Sequence, residues 1–299
     1  MARGALVAIL VPLALAPLLP GIVSRTKALF AGRQGPPLLQ LYFDLAKLLR
    51  KGAVYSTTTT WLFRAGPAVS LACVLSGLAL VPAAGRFALV SFPGDFVLLA
   101  YLLALGRFAT VVAALDTGSS FEGMGASREV QFAALAEPVL LLGLLTLARK
   151  AGSLSLAAML RVGSPLLPEV LLVAAALAIV LLSENARVPF DDPNTHLELT
   201  MIHEVMVLDH GGPDLAFVLY GSTLKLWLWS ALLVGVLLPA GLETGAVPAA
   251  LAVIAGVLLV AVGVGVVESI LARARLVRVP QLLATALVLA AVAFILGVR

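Results

Sequence analysis

Charge is scarce in this chain: charged side chains make up 12% of its 299 residues, about half the roughly 25% of an ordinary soluble domain. Hydrophobic residues reach 61% and mean hydropathy is +1.09, which excludes a soluble globular fold. There is a single cysteine, Cys73, inside an apolar run. It excludes an intramolecular disulfide and any cysteine-built metal or iron–sulfur site within this chain. A Gly-rich phosphate loop and a nucleophile–base pairing are both missing from the sequence. No internal repeat appears either, which argues against the inverted halves common in secondary transporters.

What the chain does have is long apolar runs. Roughly 20 apolar residues cross a bilayer as a helix, and eight such runs lie near 3–23, 66–84, 96–115, 130–150, 168–186, 216–239, 246–267 and 280–298. Lipid offers no partner to open backbone groups, so each run must be helical. The fold expected is an all-α, polytopic membrane protein forming one membrane domain over 1–299. Residues 1–23 share features with a signal peptide, but the apolar run continues to Arg25 and Lys27 and reads as a retained first span. A net charge of +4 and a pI near 9.5 do not point to nucleic acid, because the basic residues follow topology. With the N-terminus outside, twelve fall on the cytoplasmic side and six on the other, as the positive-inside rule requires. The loops 24–65, 116–129 and 184–214 are then cytoplasmic.

In the first of these loops Leu38, Leu41, Tyr42, Leu45, Leu48 and Leu49 recur at helical spacing, with Gln40, Asp44, Lys47 and Lys51 on the other face. The pattern predicts an amphipathic helix lying in the membrane plane, either a headgroup anchor or a shelf for a soluble partner. The second loop, Asp116 to Glu129, carries three glycines and small hydroxyl residues and reads as a tight, closely packed loop. Glu137 follows about two turns into the fourth span, just before Pro138; a carboxylate at that depth suits proton exchange. Arg107 lies inside the third span, and Lys225 sits two to three turns inside the sixth, where it either snorkels to the surface or, as its depth favours, faces the bundle interior.

The third loop is the densest in chemistry. Residues 184–214 hold seven of the sixteen acids and all three histidines. Asp191 or Asp192 can cap a helix starting at Pro193, on which His196, His203 and His210 would share one strip. Apolar residues fill the gaps all round, so such a helix would be enclosed by protein. Histidines seven apart are about 10 Å apart along a helix, too far to share a metal. His203-Glu204 lacks the second histidine of a zinc-protease motif, since Val207 stands there. What remains is a chain of ionisable groups able to pass or respond to protons, including Glu184, Asp191, Asp192, Glu198, His203 and Glu204. A salt-bridged interface with a partner is compatible with it.

At these residues the chain resembles a known family: the membrane-anchor subunit that respiratory complex I shares with membrane-bound nickel–iron hydrogenases and formate hydrogenlyases. The likeness runs through Gly35-Pro36, Leu39-Gln40, Asp44 and Lys47-Leu48-Leu49. It continues with Gly125-Ala126-Ser127-Arg128, Glu137, Asn185, Arg187, Pro189-Phe190-Asp191 and Glu198-Leu199. Complex I carries further glutamates where this chain has Asn194 and His196. The runs Asp116-Thr117-Gly118-Ser119, Glu198 to Glu204 and Arg273 to Pro280 look like the hydrogenase branch.

The resemblance implies an anchor in a prokaryotic inner membrane that seats a peripheral arm of large, small and iron–sulfur subunits. The nickel–iron centre and the clusters would sit in those partners. It also implies coupling of their electron transfer to proton or sodium movement through antiporter-like membrane subunits. The expected relay is Glu137, Glu184, Asp191, Asp192, Glu198, His203, Glu204 and Lys225. The expected docking residues are Arg33, Gln40, Asp44, Lys47, Lys51, Arg128, Arg187, Arg273 and Arg275. No cofactor, metal or redox centre is expected in this chain itself. A quinone-reducing anchor of the complex I type is the alternative, and a stand-alone transporter a second one.

Overall fold

In the computed structural model, residues 2–82, 88–161, 167–191, 201–238 and 246–297 are described, their side chains from residue 9 and, in the tenth helix, from residue 248. They form eleven α-helices with no strand among the described residues: α1 (Ala2–Leu15), α2 (Leu18–Phe30), α3 (Gln40–Leu49), α4 (Trp61–Leu80), α5 (Asp95–Asp116), α6 (Ser120–Ala151), α7 (Leu156–Met159), α8 (Pro168–Glu184), α9 (Gly212–Leu237), α10 (Ala246–Ile270) and α11 (Val279–Leu296).

Six of these, α4, α5, α6, α9, α10 and α11, are long and apolar enough to cross a membrane, and the bent pair α1–α2 brings the number to seven if it is counted as one span. The eighth apolar run is α8, whose 17 residues stand at the lower limit for a spanning helix. It is short because Pro168 opens it and the polar Glu184–Asn185 closes it. Proline also explains the bend: Pro17 has no N–H to give the Leu13 carbonyl, and the chain turns by 44° between α1 and α2. The Tyr220 hydroxyl donates to Leu13 O at 2.9 Å and the Tyr42 hydroxyl to Ala14 O, so side chains from α9 and α3 supply donors at the break.

Helix α9 is the axis of the bundle. It touches α4, α8, α10 and α3, and its Trp227 and Trp229 are buried. Helices α4 and α5 pair along their length, α11 lies on α8 and α6, and α10 lies on α2. The Asp116 carboxylate, at the end of α5, accepts from the Thr60 N–H at 2.6 Å and the Phe63 N–H at 3.3 Å. The end of α5 thereby caps the start of α4. In the first loop α3 forms where the apolar spacing places it, with Leu41, Tyr42, Leu45 and Leu48 half-buried and Lys47, Arg50 and Lys51 exposed.

Two expectations fail here. The stretch 116–129 is not a loop: only Thr117–Ser119 interrupt the helices, and α6 runs 32 residues from Ser120. Gly118 alone makes the turn, at φ +70°, while Gly125 serves close packing. A Cβ there would lie 2.3 Å from Val205 Cγ1 and 2.8 Å from Ile202 O. Gly125→Ala is therefore expected to cost about 1–3 kcal/mol through overpacking, read by thermal unfolding of the purified protein. Unchanged stability would mean that the 202–206 segment is not held against α6. The second failure concerns the helix expected from Pro193 through His210. Residues 192–200, which include Asp192, His196 and Glu198, lie outside the described residues. From 201 onward the chain forms only a 3-10 turn, Glu204–Val207, before Gly211 and Gly212 start α9. The Asp191 carboxylate captures the Ile202 and His203 N–H groups at 3.0 and 3.1 Å, which fixes the segment as a plug against α5 and α6.

Candidate functional site

A lone charge in an apolar helix must find partners, and Arg107, in the middle of α5, finds three. Its Nε lies 3.0 Å from Glu129, one terminal nitrogen pairs with Glu137 and the other with Glu184. These carboxylates come from α6 and α8. Glu129 and Glu137 share a side of α6 because eight residues is close to two full turns. The network continues from both ends. The Lys225 ammonium on α9 sits 2.9 Å from Glu184 Oε2. His203 Nε2 sits 3.1 Å from Glu129 Oε2, and its Nδ1 is 3.8 Å from Asp191 Oδ2. Asp191 in turn accepts from Arg273 Nη2 at 2.8 Å.

Arg107, Lys225, His203 and Arg273 thus face Glu129, Glu137, Glu184 and Asp191, four cationic groups against four anionic ones. That balance is what allows the cluster to exist inside the bundle, since an unpaired buried charge costs several kcal/mol. Glu129, Glu184 and Asp191 are buried. Glu137 differs: its side chain is 43% exposed, so the network reaches the outer wall of the bundle at mid-helix.

Burial works against a charge on His203, but the Glu129 carboxylate and the Asp191 carboxylate 3.8 Å from its Nδ1 outweigh it and push its pKa up to about 9. Burial likewise opposes ionisation of Asp191, yet His203 and the two backbone N–H groups hold its pKa below the usual value. A group whose folded pKa is raised contributes stability that is complete below its unfolded pKa and lost above the folded one. The contribution of His203 is therefore full below about pH 6.5 and disappears as pH rises through about 9. Thermal stability of wild type relative to His203→Gln is expected to follow that window. A difference that stays constant through about pH 10 would contradict the assignment.

A second ion-pair group lies beside the first. Glu268, near the end of α10, is paired with Lys27 at 2.9 Å and Arg187 at 3.5 Å. The Ala274 N–H bonds Pro189 O at 2.9 Å. Together with Arg273–Asp191 these contacts fasten the 187–191 segment to the turn between α10 and α11.

Of the expected relay residues, the network contains Glu137, Glu184, Asp191, His203 and Lys225. Glu204 is half-buried and opens the 3-10 turn next to His203. Asp192 and Glu198 fall outside the described residues. Arg107 and Glu129 are additions to the expected relay, although both carry signals in the sequence. Arg107 is the sole charge in the interior of its span, and Glu129 is on the Glu137 side of the same helix once α6 is recognised as continuous.

The expected docking set divides. Arg33, Lys47, Lys51 and Arg275 are exposed, and Gln40 donates to Asp44 at 3.1 Å. Arg128, Arg187 and Arg273 instead turn inward, Arg128 donating to Met201 O at 2.9 Å and the other two pairing with Glu268 and Asp191. For Arg187 and Arg273 the reason is energetic: a buried carboxylate beside a long basic side chain draws it in, because leaving the carboxylate unpaired costs more. Among the described residues, no three His, Cys, Asp or Glu side chains gather as a metal site.

A family profile described as NADH dehydrogenase matches residues 3–298. Formate hydrogenlyase subunit 4 of Escherichia coli (strain K12) is 34% identical over 286 residues, 93% of this chain and 92% of that protein. Hydrogenase-4 component C of the same strain is 34% identical over 293 residues, 95% of this chain and 91% of that protein. An NADH-quinone oxidoreductase subunit of Anaplasma phagocytophilum (strain HZ) is 27% identical over 216 residues, 66% of this chain and 62% of that protein. Among solved structures, a chain of the membrane-bound sulfane sulfur reductase, an archaeal respiratory membrane complex, shares the fold with a TM-score of 0.84. Its sequence identity is 21%, over 99% of this chain and 98% of that one.

Proposed function

This chain belongs to the NADH dehydrogenase family, and from that premise we propose that it is the membrane-anchor and coupling subunit of a hydrogenase-type respiratory complex. The hydrogenase side is favoured by 34% identity across almost the full length of two relatives named for formate hydrogenlyase and hydrogenase-4. The chain seats a peripheral arm that holds iron–sulfur clusters and a nickel–iron centre, and it links electron transfer there to ion movement through neighbouring membrane subunits in a prokaryotic inner membrane. The match over residues 3–298 favours this reading over a stand-alone transporter.

The observation that carries the coupling role is the connectivity of the charged network. It runs from Arg273, beside the exposed Arg275 and Arg278, through Asp191, His203, Glu129 and Arg107 to the half-exposed Glu137. One end thus adjoins a basic surface suited to an acidic partner, and the other opens on the side wall. Lys47 and Lys51, on and after α3, are also basic and exposed. Reversing both charges is expected to loosen the arm, seen as loss of its components on mild detergent purification.

Tagging this subunit and purifying the complex gently tests the reading. Nickel together with iron in the co-purifying subunits is the expected result. Iron without nickel would favour a quinone-reducing anchor of the complex I type, a reading supported by the NADH-quinone oxidoreductase relative. Purification of the chain alone, folded and active, would overturn both.

A further inference from the structure

Around the corner between α3 and α4, acids and bases do not pair with one another. Asp44 accepts from Gln40 at 3.1 Å, Asp116 from the Thr60 N–H and hydroxyl, and Asp214 from the Tyr55 hydroxyl. Residues 45–64 contain Lys47, Arg50, Lys51 and Arg64 and no acid. All four basic side chains are exposed, and no carboxylate pairs with any of them among the described residues. Lys27, Arg187 and Arg273, by contrast, are held by carboxylates. The corner therefore carries positive charge that this chain leaves unneutralised.

Its depth follows from how it is pinned. A Cβ on Gly212, at the start of α9, would lie 2.7 Å from Gly52 O, so the two backbones touch there. Tyr55 is tied to Asp214 in the first turn of the same helix, and the Phe63 ring stacks on His210 with centroids 4.0 Å apart. The corner is thus fastened to the beginnings of α4 and α9, both long and apolar enough to span, which puts it at headgroup level. The Arg64 guanidinium is held over the Tyr55 ring, 4.4 Å from its centroid. Beside these charges Trp61 is 72% exposed and Val54 86%, and tryptophan at the end of a span favours the headgroup region. On α3 the helical period sets Arg50 on the strip of the exposed Leu39 and Phe43, and Lys47 and Lys51 on the strip of Gln40. The strip of Arg50 is apolar with a basic end, as in a helix whose apolar side enters the acyl boundary.

We propose that this corner, through Arg50 and Arg64, binds the phosphate groups of anionic glycerophospholipids of the cytoplasmic leaflet, whose acyl chains lie against Phe43, Leu49 and Trp61. Such a lipid meets both features of the surface, the unneutralised charge and the exposed apolar side chains. An acidic protein segment would meet only the first. A group of four basic residues immediately cytoplasmic of a span is also the composition that attracts anionic lipid. The site is independent of the redox chemistry of the complex, and it leaves the Lys47 and Lys51 strip to the peripheral arm.

The test places the intact complex in zwitterionic vesicles containing a trace of photoreactive phosphatidylglycerol, or of photoreactive phosphatidylcholine with identical chains, and maps the cross-linked residues. A basic residue near an anionic surface favours association roughly five-fold, so two arginines give about 25-fold. Phosphatidylglycerol is therefore expected to label residues 49–64 at least about ten-fold more than phosphatidylcholine. The combined Arg50→Gln and Arg64→Gln complex should lose most of that preference, and so should the wild type in about 1 M salt, where the Debye length is only about 3 Å. Equal labelling by the two lipids in the wild type would reduce the corner to ordinary bilayer contact and overturn the site. No label on 49–64 from either lipid would mean that protein covers it, which overturns it as well. A preference unchanged in the double variant would take it away from Arg50 and Arg64. Should the double variant not assemble, the wild-type preference and its salt dependence decide.

Discussion

Arg107→Ala is expected to be the most damaging single substitution in this protein. It leaves Glu129, Glu137 and Glu184 without their shared cation inside the bundle. Removing one partner of a buried ion pair costs about 3–5 kcal/mol, because the remaining charge is left uncompensated. Glu184 keeps Lys225 and Glu129 keeps His203, while Glu137 is 43% exposed. The loss should therefore fall at the lower end, about 3 kcal/mol. Arg107→Lys should land in between, since one ammonium cannot reproduce a planar fork that meets three carboxylates. Thermal unfolding of the purified complex, or loss of this chain during purification, reads the effect. An Arg107→Ala protein that unfolds together with wild type would mean the three contacts do not hold α5, α6 and α8 in place.

Glu129→Gln is the second large expectation, and its signature is different. The amide keeps the volume and can still accept from Arg107, so the bundle should assemble. What it loses is the ability to take a proton from His203, 3.1 Å away. A positioned acid–base group contributes roughly 100-fold or more to a proton-transfer step, so coupled turnover is expected to fall by about that factor. Electron transfer within a detached peripheral arm should be unaffected, because its redox centres would lie in other subunits. Assembly failure in Glu129→Gln would recast Glu129 as a structural partner of Arg107, and normal coupled turnover would remove it from the relay.

Much of this is legible in the residues. The apolar runs lead directly to helices because a bilayer permits no other backbone solution for them. The amphipathic spacing of residues 38–49 similarly locates α3. Glu137, Glu184, Asp191, His203 and Lys225 stand out because each is ionisable within or beside an apolar run, and all five meet in one network.

The misreadings have physical causes too. Glycine and serine in 116–129 signal a turn in water, but between packed helices the same small residues signal close approach, as Gly125 does against Val205. Read as a loop, that stretch hides Glu129, since its position relative to Glu137 matters only on a continuous helix. Sequence position alone puts Arg128, Arg187 and Arg273 at the surface. Their direction depends on where Met201 O, Glu268 and Asp191 come to lie, which is tertiary information. The 3-10 turn at 204–207 is of the same kind: the local sequence suits a helix, and the long-range capture of two N–H groups by Asp191 decides otherwise.

The most direct measurement is proton movement by the purified complex in sealed vesicles, counted per electron passed through the peripheral arm, for wild type and for Glu129→Gln with its full set of subunits verified. The account predicts proton movement in wild type that is lost in the variant. An unchanged proton-to-electron ratio in an assembled Glu129→Gln complex would contradict it: the charged network would then hold the bundle together without coupling anything.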